Sequence, residues 1–186
     1  EWAKAVTPEN FASAALTNVA LIVWHASTLP GAAPALLEEF VNSGGALLVF
    51  PSAGQSISLA GLSFGEVATA RTNSTFAIRE WNELEGPLAR TEEGYGVPLK
   101  SLEVYQRAAI AGTGGTLATF EEGSPFLIRK ALGKGEIYFC ATSSEPGWSS
   151  LSDGAVLVPM LQRMIARGTR RVNRAGSGSP GRPPTP

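Results

Sequence analysis

The sequence predicts an α/β sandwich whose sheet is mostly parallel and carries an antiparallel β extension. Three observations predict it. An apolar run, a helix-spaced apolar stripe and a second apolar run follow one another over residues 20–50; alternating segments recur between 102 and 141; and a broad apolar helical face lies near the end.

The elements follow in order. Ala20-Leu21-Ile22-Val23-Trp24 is a short, continuously apolar run, as expected of a strand covered on both faces. Pro34 stands where a first helical turn begins, and Leu36, Leu37, Phe40 and Val41 recur at helical spacing until Asn42-Ser43-Gly44-Gly45 stops the pattern. Ala46 to Phe50 is apolar again, so residues 20–50 spell a βαβ unit, which demands parallel strands. Residues 56–74 mix Ser, Gly and Thr with isolated apolar positions and support only a short element. Leu102 to Ala108 and Thr116 to Phe120 alternate, Glu121-Glu122-Gly123-Ser124 breaks as a hairpin, and Phe126 to Lys130 resumes a strand. After Gly133-Lys134-Gly135 comes the strongly apolar Glu136 to Ala141. Val156, Leu157, Met160, Leu161, Met164 and Ile165 then mark a helix over 155–167.

Composition limits the chemistry. Fifteen Lys plus Arg against sixteen Asp plus Glu leave a net charge of −1, so no overall field favours nucleic acid. One cysteine excludes an internal disulfide, and one histidine leaves no cluster at metal-ligand spacing; neither metal nor cofactor is expected. No apolar run approaches the roughly 20 residues that span a bilayer, so the chain reads as a soluble domain. The domain is expected over residues 1–168, followed by a basic, then Gly/Ser/Pro-rich tail or linker over 169–186. Arg163, Arg167, Arg170, Arg171 and Arg174 read either as cations complementing a helix C-terminus or as a segment leading toward an anionic surface.

Several motifs read as structure. Gly112-Thr113-Gly114-Gly115-Thr116 lacks the Lys-Ser/Thr of a phosphate loop and precedes a strand, so it is a turn. Gly61-Leu62-Ser63-Phe64-Gly65 and Gly94-Tyr95-Gly96 read as flexible loops. Glu38-Glu39, Glu92-Glu93 and Glu121-Glu122 read as solvated charge pairs. Cys140 lies within an apolar strand, where a thiol is inert.

The strand ALIVWH, the helix ending in NSGGALLVFP, the run TLATFEEGSPFLIRKALGKGEIYFCATSSEPGWSSL and the helix VLVPMLQRMI together resemble the class I glutamine amidotransferase-like domain of Bat-type, aerotolerance-related bacterial membrane proteins. The resemblance spans about residues 2–168. It implies a flavodoxin-like sandwich within an inner-membrane protein facing the envelope side, with other domains of a membrane-anchored parent, or further proteins, as partners.

On that superfamily's pattern, a nucleophilic Cys sits on a tight strand-to-helix turn, Gly-x-Cys-x-Gly, and a His and a Glu follow a later strand. Ser52-Ala53-Gly54 falls at Cys-x-Gly, and Ser143-Ser144-Glu145-Pro146 falls near the His-Glu region. Phe50 stands in place of the first glycine, Ser52 in place of the thiol, and no His follows that turn. His25, the one histidine, ends the first strand, at the edge where open α/β sheets gather ligands. The expectation is a catalytically degenerate binding or scaffolding module with a cleft at His25, Ser52, Gly54, Gln55, Ser144, Glu145 and Trp148. The alternative is a serine-dependent hydrolase or acyl-transfer enzyme using Ser52 and His25, with Glu145 as the candidate acid. Trp148 either seals the sheet end or anchors a partner.

Overall fold

The computed structural model describes residues 3–54 and 57–176, with side chains as far as 169. Among the described residues, nine strands and two α-helices run in the order β1 (Leu21–Trp24), α1 (Ala33–Asn42), β2 (Ala46–Val49), β3 (Ser58–Leu59), β4 (Leu62–Thr69), β5 (Ile78–Trp81), β6 (Gln106–Gly112), β7 (Gly115–Phe120), β8 (Pro125–Leu132), β9 (Gly135–Cys140) and α2 (Leu157–Gly176). Of the tail expected over 169–186, residues 169–176 lie within α2, and 177–186 lie outside the described residues.

The class is mixed α/β, but the sheet is not mostly parallel. Its six strands lie in the order β1-β2-β9-β8-β7-β5. Only β1–β2 and β2–β9 pair parallel; β9–β8, β8–β7 and β7–β5 are antiparallel. The physical reason lies in the connections. The helix α1 links β1 to β2 as a crossover, whereas β7, β8 and β9 are joined by tight turns, which can only reverse direction. A second sheet, β3-β4-β6, is antiparallel throughout.

β2 and β9 sit inside the sheet with both faces covered, which explains their unbroken apolar runs. Leu47, Val49, Ile137 and Phe139 pack with Leu37, Phe40 and Val41 of α1 and with Leu62 and Phe64 of the smaller sheet. Leu48, Tyr138 and Cys140 point to the other face, against Met160 and Met164 of α2. Fully burying a Leu such as Leu37, Leu47 or Leu48 contributes about 2 kcal/mol each before entropy is counted.

Two glycine contacts hold these layers close. A Cβ on Gly135 would lie 2.1 Å from the Val41 carbonyl oxygen and 2.3 Å from that of Gly45, so the end of α1 and the start of β9 meet backbone to backbone. Val156, just before α2, and Met160, Met164 and Gly168 on it recur every fourth residue, and a Cβ on Gly168 would lie 2.3 Å from the Ala20 carbonyl oxygen. Helix and strand entry touch there because no side chain intervenes.

The middle departs from the expectation. Gly61 to Gly65 is not a flexible loop: Leu62–Thr69 is an eight-residue strand, paired with β6 and interrupted by a bulge between Phe64 and Val67. Only its first half is buried, so its sequence carries little apolar alternation. The Gly112–Thr116 stretch is the β6–β7 turn, with Gly112 at φ 114°.

Candidate functional site

β1, β2 and β9 run parallel and side by side, so their carboxyl ends gather at one edge. Three segments leave from it: His25 after β1, Phe50 to Gly54 after β2, and the loop Ala141 to Ser149 after β9.

The centre of this edge is the His25 imidazole. Its Nε2 lies 2.8 Å from Ser143 Oγ and 3.4 Å from Glu145 Oε1. The ring reaches the loop after β9 by crossing the end of β2, where it meets the Phe50 ring edge-on at 5.6 Å between centroids. Phe50 is itself 2% exposed, with its N–H donating to the Trp24 carbonyl at 3.0 Å. Phe50, which stands in place of the first glycine of the amidotransferase pattern, is the apolar floor beneath His25.

The loop after β9 is held by a dense set of bonds. Ser143 Oγ accepts the Glu145 N–H at 3.1 Å, and the Ser143 carbonyl accepts the Ser149 hydroxyl at 2.7 Å. The Trp148 carbonyl accepts the N–H groups of Tyr105 and Gln106 at 2.8 and 3.0 Å, and Gln106 Nε2 donates to the Gly147 carbonyl at 2.9 Å. These tie the loop to β6 and its approach. Ser143 is fully buried, whereas the His25 and Glu145 side chains are 32% and 45% exposed.

That geometry differs from a catalytic triad in one decisive respect. In a triad the acid holds the imidazole nitrogen opposite the nucleophile, leaving the near nitrogen free to take the nucleophile's proton. Here hydroxyl and carboxylate meet the same nitrogen. With the proton on Nε2 the ring donates to Ser143 Oγ; with the proton on Nδ1 the bare Nε2 accepts from the Ser143 hydroxyl. The arrangement joins two chain segments and presents an imidazole and a carboxylate to solvent.

The remaining candidates fall as follows. Ser52 is partly exposed and Gly54 exposed, with φ 84°, on the same edge; among the described residues the polar partners of His25 are Ser143 and Glu145, not Ser52. Gln55 lies outside the described residues. Ser144 is partly exposed beside Ser143, and Trp148 is 3% exposed, its indole among the apolar residues on the α1 side. Ser143 was not among the candidates, although its place directly after an apolar strand put it on the His25 edge. Burial pushes the Cys140 thiol up to about 12. No group of three or more His, Cys, Asp or Glu among the described residues could hold a metal ion.

No protein-family model matches the chain, and no curated protein matches it. Solved structures similar to it include a β-galactosidase from Bacillus circulans sp. alkalophilus, at 19% identity and TM-score 0.48, over 83% of this chain and 22% of that one. Another is the β-galactosidase of the Antarctic haloarchaeon Halorubrum lacusprofundi, at 14% identity and TM-score 0.48, over 82% and 23%. A third is the exo-β-1,4-mannosidase Op5Man5 from Opitutaceae bacterium strain TAV5, at 20% identity and TM-score 0.43, over 84% and 25%. The chain thus spans a quarter or less of these proteins' own length. They are glycoside hydrolases and not glutamine amidotransferase-like domains. The resemblance read from the sequence is therefore corrected, and with it the expected role as a degenerate amidotransferase-like module of a membrane-anchored envelope protein. No helix among the described residues is long and apolar enough to cross a membrane.

Proposed function

We propose that this chain is a ligand-binding domain whose contact site is the His25–Glu145 pair, and whose ligand is a small neutral molecule rich in hydroxyl groups. The observation that carries this reading is the shared nitrogen: Nε2 is committed to Ser143 and Glu145, at 2.8 and 3.4 Å. Imidazole Nδ1 and the second carboxylate oxygen are then the groups left to meet a ligand.

The chemistry of those two groups selects the ligand class. Nδ1 accepts when Nε2 carries the proton, and the carboxylate accepts as well. A hydroxyl donates to either. An anion is repelled by Glu145, and a cation competes with the imidazole for the same carboxylate. Neutral polyols satisfy both acceptors without a charge penalty.

The chain has one histidine, so its ring protons give one pair of NMR signals with no labelling. Titration with D-galactose as probe is expected to shift them saturably, and Glu145→Gln to weaken that response several-fold. A response that never saturates would sink the reading. Stoichiometric labelling of Ser143 by a fluorophosphonate, lost in Ser143→Ala, would replace it with serine chemistry.

A further inference from the structure

Charge is distributed unevenly along this nearly neutral chain. The residues of α2 include five arginines and no carboxylate, so all sixteen Asp and Glu fall elsewhere, against ten cations. The described part of this basic helix, Arg163 and Arg167, lines a cleft of about 350 Å³ against the 84–92 segment.

The two arginines stand one helical turn apart on the same wall. Other cations near the cleft are already paired: Arg90 with Glu83 at 2.6 Å, and Arg129 with Glu85 at 3.2 Å. Arg167 Nη1 lies 3.4 Å from Glu136, whose Oε2 also accepts the Tyr138 hydroxyl, and the guanidinium further interacts with Tyr138 and with the charge of Glu85. Arg163 has no carboxylate partner among the described residues. Its Nη2 donates to the Tyr95 carbonyl at 3.4 Å, and its Nη1 is buried without an acceptor. A guanidinium has five donors in a planar fork, so most of the donor capacity of this pair is unspent. A buried N–H left without an acceptor carries a free-energy cost that an incoming oxygen removes.

Small residues on the walls, Gly86, Ala89 and Ala166, leave room for such an oxygen. Glu85 and Glu92, also on the lining, oppose an anion, but Glu85 is already engaged by Arg129. We propose that the cleft between α2 and the 84–92 segment is an oxyanion site, taking a phosphate or carboxylate group held by Arg163 and Arg167. It is separate from the His25 edge and stands or falls independently of it.

The test is calorimetric titration of the full chain at low ionic strength with sodium phosphate and, separately, sodium acetate, against sodium chloride of equal ionic strength. Saturable binding of phosphate, acetate or both supports the site and assigns the group. Arg163→Gln and Arg167→Gln should each weaken it at least tenfold, about 1.4 kcal/mol, while Arg79→Gln on β5 leaves it unchanged. If either glutamine variant fails to fold by circular dichroism, Arg163→Lys takes its place, keeping the charge but losing the fork and the affinity. No saturable heat beyond chloride, or unchanged affinity in the folded arginine variants, overturns the proposal.

Discussion

His25 Nε2 lies 2.8 Å from Ser143 Oγ, so the end of β1 is joined to the loop after β9 across 118 positions of sequence. The strand between them, β2, contributes Phe50 as the surface over which the ring passes. Parallel order brings the three carboxyl ends together, and the hydrogen bond fixes which side chains meet there.

Ser143→Ala removes that bond and the acceptor for the Glu145 N–H. Chemical unfolding should show a loss of about 1–2 kcal/mol, because the hydroxyl is buried and its partners lose a satisfied contact. Ser52→Ala, at a partly exposed position, should stay within about 0.5 kcal/mol of the parent. Equal losses in the two variants would remove the distinction between them.

Gly135→Ala and Gly54→Ala separate steric overlap from backbone strain. The first places a Cβ 2.1 Å from a backbone oxygen, which the closely packed α1–β9 contact can relieve only by moving apart; about 3 kcal/mol is expected. At Gly54 the space is open, and only the positive φ of 84° opposes a side chain, so about 1 kcal/mol is expected. Thermal melts of the two variants check the ranking.

Alkaline pH should destabilise the fold. Burial raises the Cys140 thiol from 9.0 to about 12, and burial followed by the Glu136 bond raises the Tyr138 phenol above its ordinary 10.0. Both groups hold their protons more tightly when folded, so stability is level below about pH 9 and falls as pH rises toward 12. The urea midpoint is expected to decline over that interval, and more gently in Cys140→Ala. An unchanged slope in that variant would assign the loss to other groups.

How much of this was legible in the sequence depended on burial. β2 and β9 could be read because both faces of these inner strands are covered, which leaves an unbroken apolar signature. β1 carries the same apolar run and was expected to be covered on both faces, whereas it lies at the edge of the sheet with Val23 exposed. β4 could not be read, because Gly65, Glu66 and Val67 of that strand lie exposed and a bulge breaks its register. The parallel sheet was overextended for a related reason: strand strength was visible, but direction is set by turns such as Gly133-Lys134. At the site, the position of His25 at a strand end was readable. Its partner was not, since the turn that buries Ser143 is made by backbone bonds to Tyr105 and Gln106, residues that no local pattern links to it.

The most direct test of the central claim is which nitrogen of the neutral His25 ring carries the proton, read from the ¹⁵N shifts of the single imidazole. The shared contact with Ser143 and Glu145 predicts the proton on Nε2, donated toward the loop after β9. A proton on Nδ1, with bare Nε2 accepting from the Ser143 hydroxyl, would contradict the account and return Ser143 to the position of a nucleophile.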